Sequence, residues 1–223
     1  MDKKKRAGEK ASEFVQDGMV VGLGTGSTAY WATLKIGERV KNGLNIRAIP
    51  TSVSTAKLAA ELGIPLIGFG EAETIDLTID GADEIDPGLN LIKGGGGALL
   101  REKIVAQASR EVIIVAEDTK RVEVLGAFQV PVEIVPFGWE VTLRRVNRLG
   151  GTAVLRSAGG QPFETDNGNW ILDCDFGRIP DPATLHQALK MTTGAVETGI
   201  FPRGADRVVI ATEAGVELLR REG

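Results

Sequence analysis

The feature that most constrains this chain is a run of four glycines between a strand pattern and a helical pattern. From Leu91 to Lys103 the sequence is LIKGGGGALLREK. Glycines carry no Cβ, so the backbone N–H groups of such a turn can approach a ligand closely. The helix that begins near Ala98 directs its free N–H groups and its positive dipole end at the turn, which favours an anion. The stretch therefore predicts an anion site where a strand passes into a helix.

Two charged side chains flank this glycine run. Lys93 adds a positive charge at its entrance, and Glu102 lies early in the helix, where side chains lean toward the N-terminus. A tight connection with one solvated glutamate is the simpler alternative, but four glycines between a lysine and a glutamate favour a ligand site. The helix dipole alone would lower the pKa of Glu102, so we expect partial burial to oppose it if this carboxylate acts as a base.

Strand and helix patterns alternate from the first residues to about Leu125. Apolar runs such as Met19–Leu23 and Val112–Ala116 are typical of buried strands, with amphipathic helical stripes between them. Strands that alternate with helices indicate a parallel sheet with helices on both faces. Further strands are expected over residues 46–50, 65–69, 74–80, 89–92 and 208–211, and a short helix from about residue 213.

The pattern changes in the second half of the chain. Residues 130–198 follow the order strand, helix, strand, strand, helix, strand, with a hairpin signal at Asp166–Asn169. This order matches the split βαβ, or ferredoxin-like, unit. We therefore predict an α/β fold with a discontinuous Rossmann-like catalytic domain over residues 1–126 and 203–223. A smaller ferredoxin-like α+β domain is predicted over residues 127–202.

Composition excludes several classes of protein. A net charge of −4 offers no broad basic face, so neither nucleic acid nor an anionic membrane is expected as a partner. The chain has no apolar run of about 18 residues and no signal-peptide pattern, which predicts a soluble, cytoplasmic protein. The single cysteine, Cys174, and the single histidine, His186, allow no intrachain disulfide and no His/Cys metal cluster. Both are interpreted as structural residues.

A second glycine-rich loop, Gly22–Thr28, follows the first strand. It is not a dinucleotide-binding loop, because Ser27 stands where the third glycine is needed, and it lacks the ending of a P-loop. What remains is a set of N–H and hydroxyl groups at a helix N-terminus, which suits a small phosphate or a sugar hydroxyl. Capping of the helix by Ser27 or Thr28 is the structural alternative, and both interpretations can hold at once.

Acidic side chains follow another strand. Asp80 stands at the carboxyl end of that strand, where open α/β sheets bind ligands, and Asp83 follows across Gly81-Ala82. The pair suits general acid–base chemistry, and a Mg²⁺ or Ca²⁺ site is the less favoured alternative. Glu84 and Asp86 are expected to face solvent.

Lys120 lies just past the strand that ends at Ala116. The residues alone favour neither of two roles for Lys120, contact with a phosphate or exposure to solvent. Together the strand ends predict an anion pocket beside a carboxylate base. The chemistry that fits is proton transfer next to a carbonyl of a phosphorylated small molecule, with cations or N–H groups stabilising the enediolate. Neither a metal nor another cofactor is required.

These motifs, in this order, resemble those of the A-type ribose-5-phosphate isomerases. The similarity spans almost the whole chain. One departure is Gly97, where many members carry alanine. The matching stretches are Gly24–Thr28, Asp80–Glu84, Lys93–Gly96, Arg101–Lys103, Pro131–Ile134, Thr165–Asn169 and Val196–Phe201.

The resemblance implies interconversion of D-ribose 5-phosphate and D-ribulose 5-phosphate in the non-oxidative pentose phosphate pathway. It implies that Glu102 moves the proton between C1 and C2, that Asp80 assists ring opening, and that Asp83 and Lys93 hold the reacting hydroxyls and stabilise the enediolate. It also implies no metal, no cofactor, and a dimer or tetramer. Substrate binding would fall to Thr25, Gly26, Ser27, Thr28, Asp80, Gly81, Ala82, Asp83, Lys93, Gly94, Gly95, Gly96 and Lys120.

Two other functions compete with this one. A non-catalytic sugar-phosphate sensor of related fold should carry a DNA-binding segment, and none is recognisable before Met19. A related amino-sugar phosphate deaminase or acyl-CoA transferase is the other alternative. Such a deaminase would be expected to use a histidine, and His186 is poorly placed for that role.

Overall fold

The structure is a computed structural model that describes residues 2–221. Its helices and strands confirm the predicted α/β class. The helices are α1 Lys3–Ser12, α2 Ser27–Lys41, α3 Val53–Glu61, α4 Leu99–Gln107, α5 Trp139–Asn147 and α6 Pro182–Lys190, with a short 3₁₀ turn at Asp118–Lys120. The strands are β1 Val20–Leu23, β2 Arg47–Pro50, β3 Leu77–Gly81, β4 Glu84–Ile85, β5 Leu91–Ile92, β6 Val112–Glu117, β7 Val130–Ile134, β8 Thr152–Leu155, β9 Ser157–Ala158, β10 Gln161–Pro162, β11 Trp170–Asp175, β12 Ala195–Thr198, β13 Ile200–Phe201, β14 Arg207–Ala211 and β15 Val216–Arg220.

The chain folds as two compact units that each draw on several segments. Unit 1 comprises the chain up to Ala82, Arg101–Lys120, and the chain from Gly204 onward. Unit 2 comprises Asp83–Leu100 and Arg121–Arg203. The predicted first domain, residues 1–126 and 203–223, also contains residues 83–100, residues 121–126 and Arg203, which belong to unit 2. The division into a catalytic and a smaller domain therefore stays a prediction.

Unit 1 is built on a sheet with strand order β15-β14-β6-β3-β1-β2. The neighbouring strands from β14 to β2 run parallel, and β15 pairs antiparallel with β14. Val112–Ala116 of β6 are all buried, as a strand with both faces covered requires. Because β1, β3 and β6 are parallel neighbours, the loops at their carboxyl ends lie at one edge of this sheet.

One predicted strand of unit 1 is wrong. Residues 65–69 form no strand and contribute an isolated bridge between Leu66 and Ala48. Pro65 supplies no N–H, although its carbonyl accepts from Ala48 N at 2.8 Å. A proline at the start and a glycine at position 68 thus limit the pairing to two hydrogen bonds around Ala48.

The short helix expected from residue 213 is also wrong. After β14 the chain makes a tight turn in which Thr212 N donates to Gly215 O at 2.8 Å. It then returns as β15, paired with β14 from Val216 to Arg220. The expected return of the chain to the first sheet is confirmed, since β14 lies parallel beside β6.

Unit 2 contains the predicted β-α-β-β-α-β order as β7, α5, β8, β11, α6 and β12. These strands form an antiparallel sheet of order β12-β7-β11-β8, as a ferredoxin-like arrangement requires. Cys174 of β11 is fully buried in its core, and burial raises the pKa of the thiol. A second sheet has the order β13-β5-β4, and its strand β5 leads directly into the glycine run.

Candidate active site

In unit 1, the loop after β1 passes very close to β3. A Cβ on Gly24 would lie 2.2 Å from Asp80 Oδ1, so this approach requires glycine. Gly26, with a φ of +114°, is the N-cap of α2, which begins at Ser27. The structural alternative, in which Ser27 or Thr28 caps this helix, is therefore wrong. Gly26 and Ser27 are exposed, whereas Thr28 is half-buried.

Asp80 fixes this loop with its carboxylate. Its side chain is 2% exposed, and Oδ1 accepts from Thr25 N at 3.1 Å and from Gly81 N at 2.7 Å. Gly81 and Ala82, at the end of β3, are half-buried. A carboxylate that accepts backbone N–H groups is held in one orientation by charge-assisted hydrogen bonds. Asp80 and the first glycine loop thus form one preorganised group.

A cluster of hydroxyls backs the same loop. Thr25 Oγ1 lies 2.7 Å from Thr51 Oγ1, 2.8 Å from Ser52 Oγ and 3.2 Å from Thr55 Oγ1. Ser52 also accepts from Thr55 N at 3.0 Å and so caps α3. Sequence reasoning missed this cluster, since nothing local indicates that Thr25 reaches the start of α3.

Glu102 lies in the first turn of α4. Its exposed fraction is 4%, which confirms the expected burial. Lys120 is half-buried in the 3₁₀ turn after β6, at the same sheet edge as Asp80.

The N-terminal lysines Lys3 and Lys4 form ion pairs with acidic side chains. Lys3 Nζ lies 3.0 Å from Asp118 and 2.8 Å from Glu213, and these hydrogen bonds raise the pKa of Lys3. Lys4 Nζ lies 3.8 Å from Glu117.

In unit 2, the glycine run forms a tight turn with two positive φ angles. Gly94 has a φ of +102° and Gly97 of +83°, and Gly97 N donates to Gly94 O at 2.9 Å. These two glycines are buried, whereas Gly95 and Gly96 are exposed. The turn therefore presents the Gly95–Gly96 backbone outward, as close approach to a ligand requires.

Asp83 and Lys93 flank this turn. Asp83 Oδ2 accepts from Gly95 N at 2.8 Å, and a Cβ on Gly95 would lie 2.8 Å from Asp83 Oδ1. Lys93 is 3% exposed, and its Nζ lies 5.6 Å from the centre of the Phe201 ring, within cation–π range. Its backbone N–H donates to Gly199 O at 2.8 Å. The predicted lysine and carboxylate are thus both held at the glycine turn.

Arg156 is a residue at this turn that sequence reasoning missed. Its Nη1 donates to Gly94 O at 3.0 Å and to Gly95 O at 3.2 Å. Its Nε and Nη2 donate to the two carboxylate oxygens of Asp173 at 2.9 and 2.5 Å. No local signal points to Arg156, because it lies 61 residues beyond Gly95 in the chain.

The prediction that Glu84 faces solvent is wrong. Its side chain is 3% exposed and accepts from Gly126 N at 2.7 Å and from Phe128 N at 2.6 Å. These two loop amides need an acceptor, and Glu84 supplies both oxygens. Asp86 is half-buried and accepts from Asn90 N at 2.9 Å.

Within residues 2–221, no group of three His, Cys, Asp or Glu side chains is arranged to hold a metal ion. Over the same residues, no helix is both long and apolar enough to cross a membrane.

The sequence of this chain is similar to those of known proteins over most of its length. The family model of ribose 5-phosphate isomerase A (phosphoriboisomerase A) matches residues 47–215. The chain belongs to this family. A ribose-5-phosphate isomerase A from Bacillus mycoides is 53% identical over 218 residues, which cover 97% of this chain and 99% of that protein.

Solved structures of ribose 5-phosphate isomerases are similar to the structure of this chain. The ribose 5-phosphate isomerase from Plasmodium falciparum superposes with a TM-score of 0.95 at 40% identity, covering 99% of this chain and 98% of that one. A D-ribose-5-phosphate isomerase in complex with phospho-erythronic acid also gives 0.95, at 38% identity, covering 99% of this chain and all of that one. Both relatives share the fold over nearly their full length.

Proposed function

We propose that this chain interconverts D-ribose 5-phosphate and D-ribulose 5-phosphate, an aldose–ketose isomerisation of the non-oxidative pentose phosphate pathway. The observation that carries the proposal is membership of the ribose 5-phosphate isomerase A family. The solved relative that binds phospho-erythronic acid adds support. That ligand carries a phosphate at one end and two carboxylate oxygens at the other, much as an enediolate carries oxygens on C1 and C2.

The first step is ring opening, which we assign to Asp80. Opening the furanose moves a proton from the C1 hydroxyl to the ring oxygen and exposes the aldehyde. Two backbone N–H groups fix Asp80 Oδ1, so the carboxylate keeps one orientation while it relays this proton.

The second step is proton transfer, which we assign to Glu102. In the aldose-to-ketose direction, the proton on C2 moves to C1 through Glu102, and the hydroxyl proton on O2 moves to O1. The burial of Glu102 supports this role, since a carboxylate shielded from water is a stronger base.

The enediolate between these transfers carries negative charge on oxygen. We assign its stabilisation to Lys93 and the glycine turn, with Asp83 holding a reacting hydroxyl. The exposed Gly96 amide and the ammonium group of Lys93 supply donors that such a charge needs. Asp83 keeps the Gly95 amide in place and would accept from a substrate hydroxyl.

We assign the phosphate to the first loop and Lys120. Gly26 and Ser27 are exposed at the start of α2, where N–H groups and the helix dipole favour an anion. We also propose a homodimer or homotetramer, because unit 2 exposes large apolar side chains, among them Phe137 at 93% and Met191 at 85%. A cytoplasmic enzyme is the setting that fits a soluble sugar phosphate as substrate.

One assay tests the activity, and one variant tests the base. The purified chain with ribose 5-phosphate and a chelator should form ketose. Glu102→Gln should abolish turnover while it keeps binding of phospho-erythronic acid, because the amide retains the shape but cannot accept the proton. Ligand binding without turnover by the unaltered chain would favour the sensor instead. Near-normal turnover in Glu102→Gln would remove Glu102 from the role.

A further inference from the structure

Arg156 holds the glycine turn from the side opposite to its N–H groups. Its guanidinium lies between the carboxylate of Asp173, which it binds through two nitrogens, and the carbonyls of Gly94 and Gly95, which it binds through a third. The side chain of Arg156 is 14% exposed and that of Asp173 is 22% exposed. This geometry uses the rigid planar fork of arginine, which a lysine cannot reproduce.

The two carbonyls belong to the peptide groups that carry the Gly95 and Gly96 amides. A positive charge hydrogen-bonded to a peptide carbonyl draws electron density toward that oxygen and makes the N–H of the same peptide a better donor. It also fixes the plane of each peptide. One of these amides, Gly95 N, donates to Asp83 Oδ2 at 2.8 Å. Arg156 therefore controls the orientation of the turn's donors and, through Gly95, of Asp83.

The surroundings of Arg156 keep it in this position. Its guanidinium carbon lies 5.6 Å from the centre of the Phe163 ring, and the same ring packs against Gly97, where a Cβ would come within 2.5 Å of it. A cavity of about 430 Å³ adjoins Arg156, Asp173 and Gly95. Contacts to a carboxylate, an aromatic ring and two carbonyls hold this arginine at the turn.

We propose that Arg156, oriented by Asp173, is a positioning residue for the isomerisation. It touches neither substrate nor reacting atoms in this role. It acts through the peptide groups that join Gly94 to Gly95 and Gly95 to Gly96. It keeps the Gly96 amide aimed at the enediolate, and it keeps Asp83, which the Gly95 amide holds, aimed at a reacting hydroxyl. The inference rests on the proposed function and names a further residue that the same reaction needs.

The test is the kinetics of Arg156→Ala with ribose 5-phosphate. We expect kcat to fall about 10- to 100-fold, less than direct loss of an oxyanion donor, while KM changes less than about threefold. The loss falls on kcat because these donors matter most once charge has developed. The kcat of Arg156→Lys should lie between those of Arg156→Ala and the unaltered chain, since lysine keeps the charge but not the planar fork.

The chain offers a matched control in Arg221. This arginine also pairs with an aspartate, Asp206 at 2.8 Å, and also donates to a backbone carbonyl, Ala205 O at 2.8 and 3.1 Å. It lies in unit 1, directly after β15, and has no part in the proposed mechanism. Arg221→Ala should lower thermal stability and leave kcat and KM unchanged.

A double-mutant cycle separates positioning from simple stabilisation. Because Asp173 acts only by orienting Arg156, Asp173→Ala should lower kcat to a similar extent. The double variant should then lose little more than Arg156→Ala alone. A kcat per folded molecule within twofold of the unaltered chain in Arg156→Ala would overturn the proposal, as would multiplying effects in the double variant. Absence of turnover in the unaltered chain would instead overturn the proposed function.

Discussion

The two glycine loops of this protein share a way of holding a carboxylate but differ in what stands behind them. In the first loop, Asp80 accepts from Thr25 N, and Gly24 allows its close approach. In the second, Asp83 accepts from Gly95 N, and the missing Cβ of Gly95 again gives the carboxylate room. Each loop is thus fastened to an acidic side chain that we place in the reaction.

The backing of the loops differs in charge. The first is backed by neutral hydroxyls around Thr25, which can rotate and exchange partners. The second is backed by the ion pair of Arg156 and Asp173. We place the unchanging phosphate on the first loop and the developing enediolate charge on the second. Donors that stabilise a developing charge work best when they need no reorganisation, and a fixed, charge-assisted contact meets this need.

Among changes to the two loops, the largest effect should come from removing the carboxylate of the second loop. Asp83→Ala leaves the Gly95 amide without its acceptor and removes a contact to the reacting hydroxyls, so kcat should fall about 10²- to 10³-fold. Steady-state kinetics with ribose 5-phosphate measure this. Asp83→Asn keeps an acceptor for Gly95 N and should lose less. A raised KM with unchanged kcat would break the comparison, because it would make the second loop a simple binding element.

A smaller and different effect is expected at the first loop. Thr25→Val removes the hydroxyl that joins Thr51, Ser52 and Thr55, which loosens a loop that binds phosphate equally in ground and transition states. KM should therefore rise about tenfold with kcat nearly unchanged. Thr192→Val is the matched control, since that hydroxyl belongs to neither loop and donates to Ala188 O. A fall in kcat at constant KM would show that the two loops do not divide their work as proposed.

The smallest effect concerns packing behind the second turn. Gly97→Ala places a Cβ on a residue with a φ of +83°, 2.5 Å from the Phe163 ring. This should lower the free energy of unfolding by about 1–2 kcal/mol. Urea denaturation measures the loss. Gly63→Ala has a similar φ of +73° but open space at its Cβ, so it reports backbone strain alone. An equal loss in the free energy of unfolding for both variants would show that the Phe163 ring moves aside at no energetic cost.

Local patterns predicted much of this molecule. The alternation of strands and helices and the ferredoxin-like order of unit 2 both depend on neighbours within a few residues, and both are confirmed. Errors occurred where pairing over distance overrides local pattern. Residues 65–69 are apolar but paired only through one bridge, and the tail after Gly215 became an edge strand because β14 was available to pair with it.

The sequence by itself determined the glycine loops and their acidic and basic neighbours, because short spacing fixes which groups share a turn. Only the tertiary structure decided how those loops are held. Arg156, Thr51 and the buried Glu84 act on backbone groups tens of residues away, and a hydrogen bond across such a distance depends on which segments pack together. Periodicity and spacing carry no record of that packing.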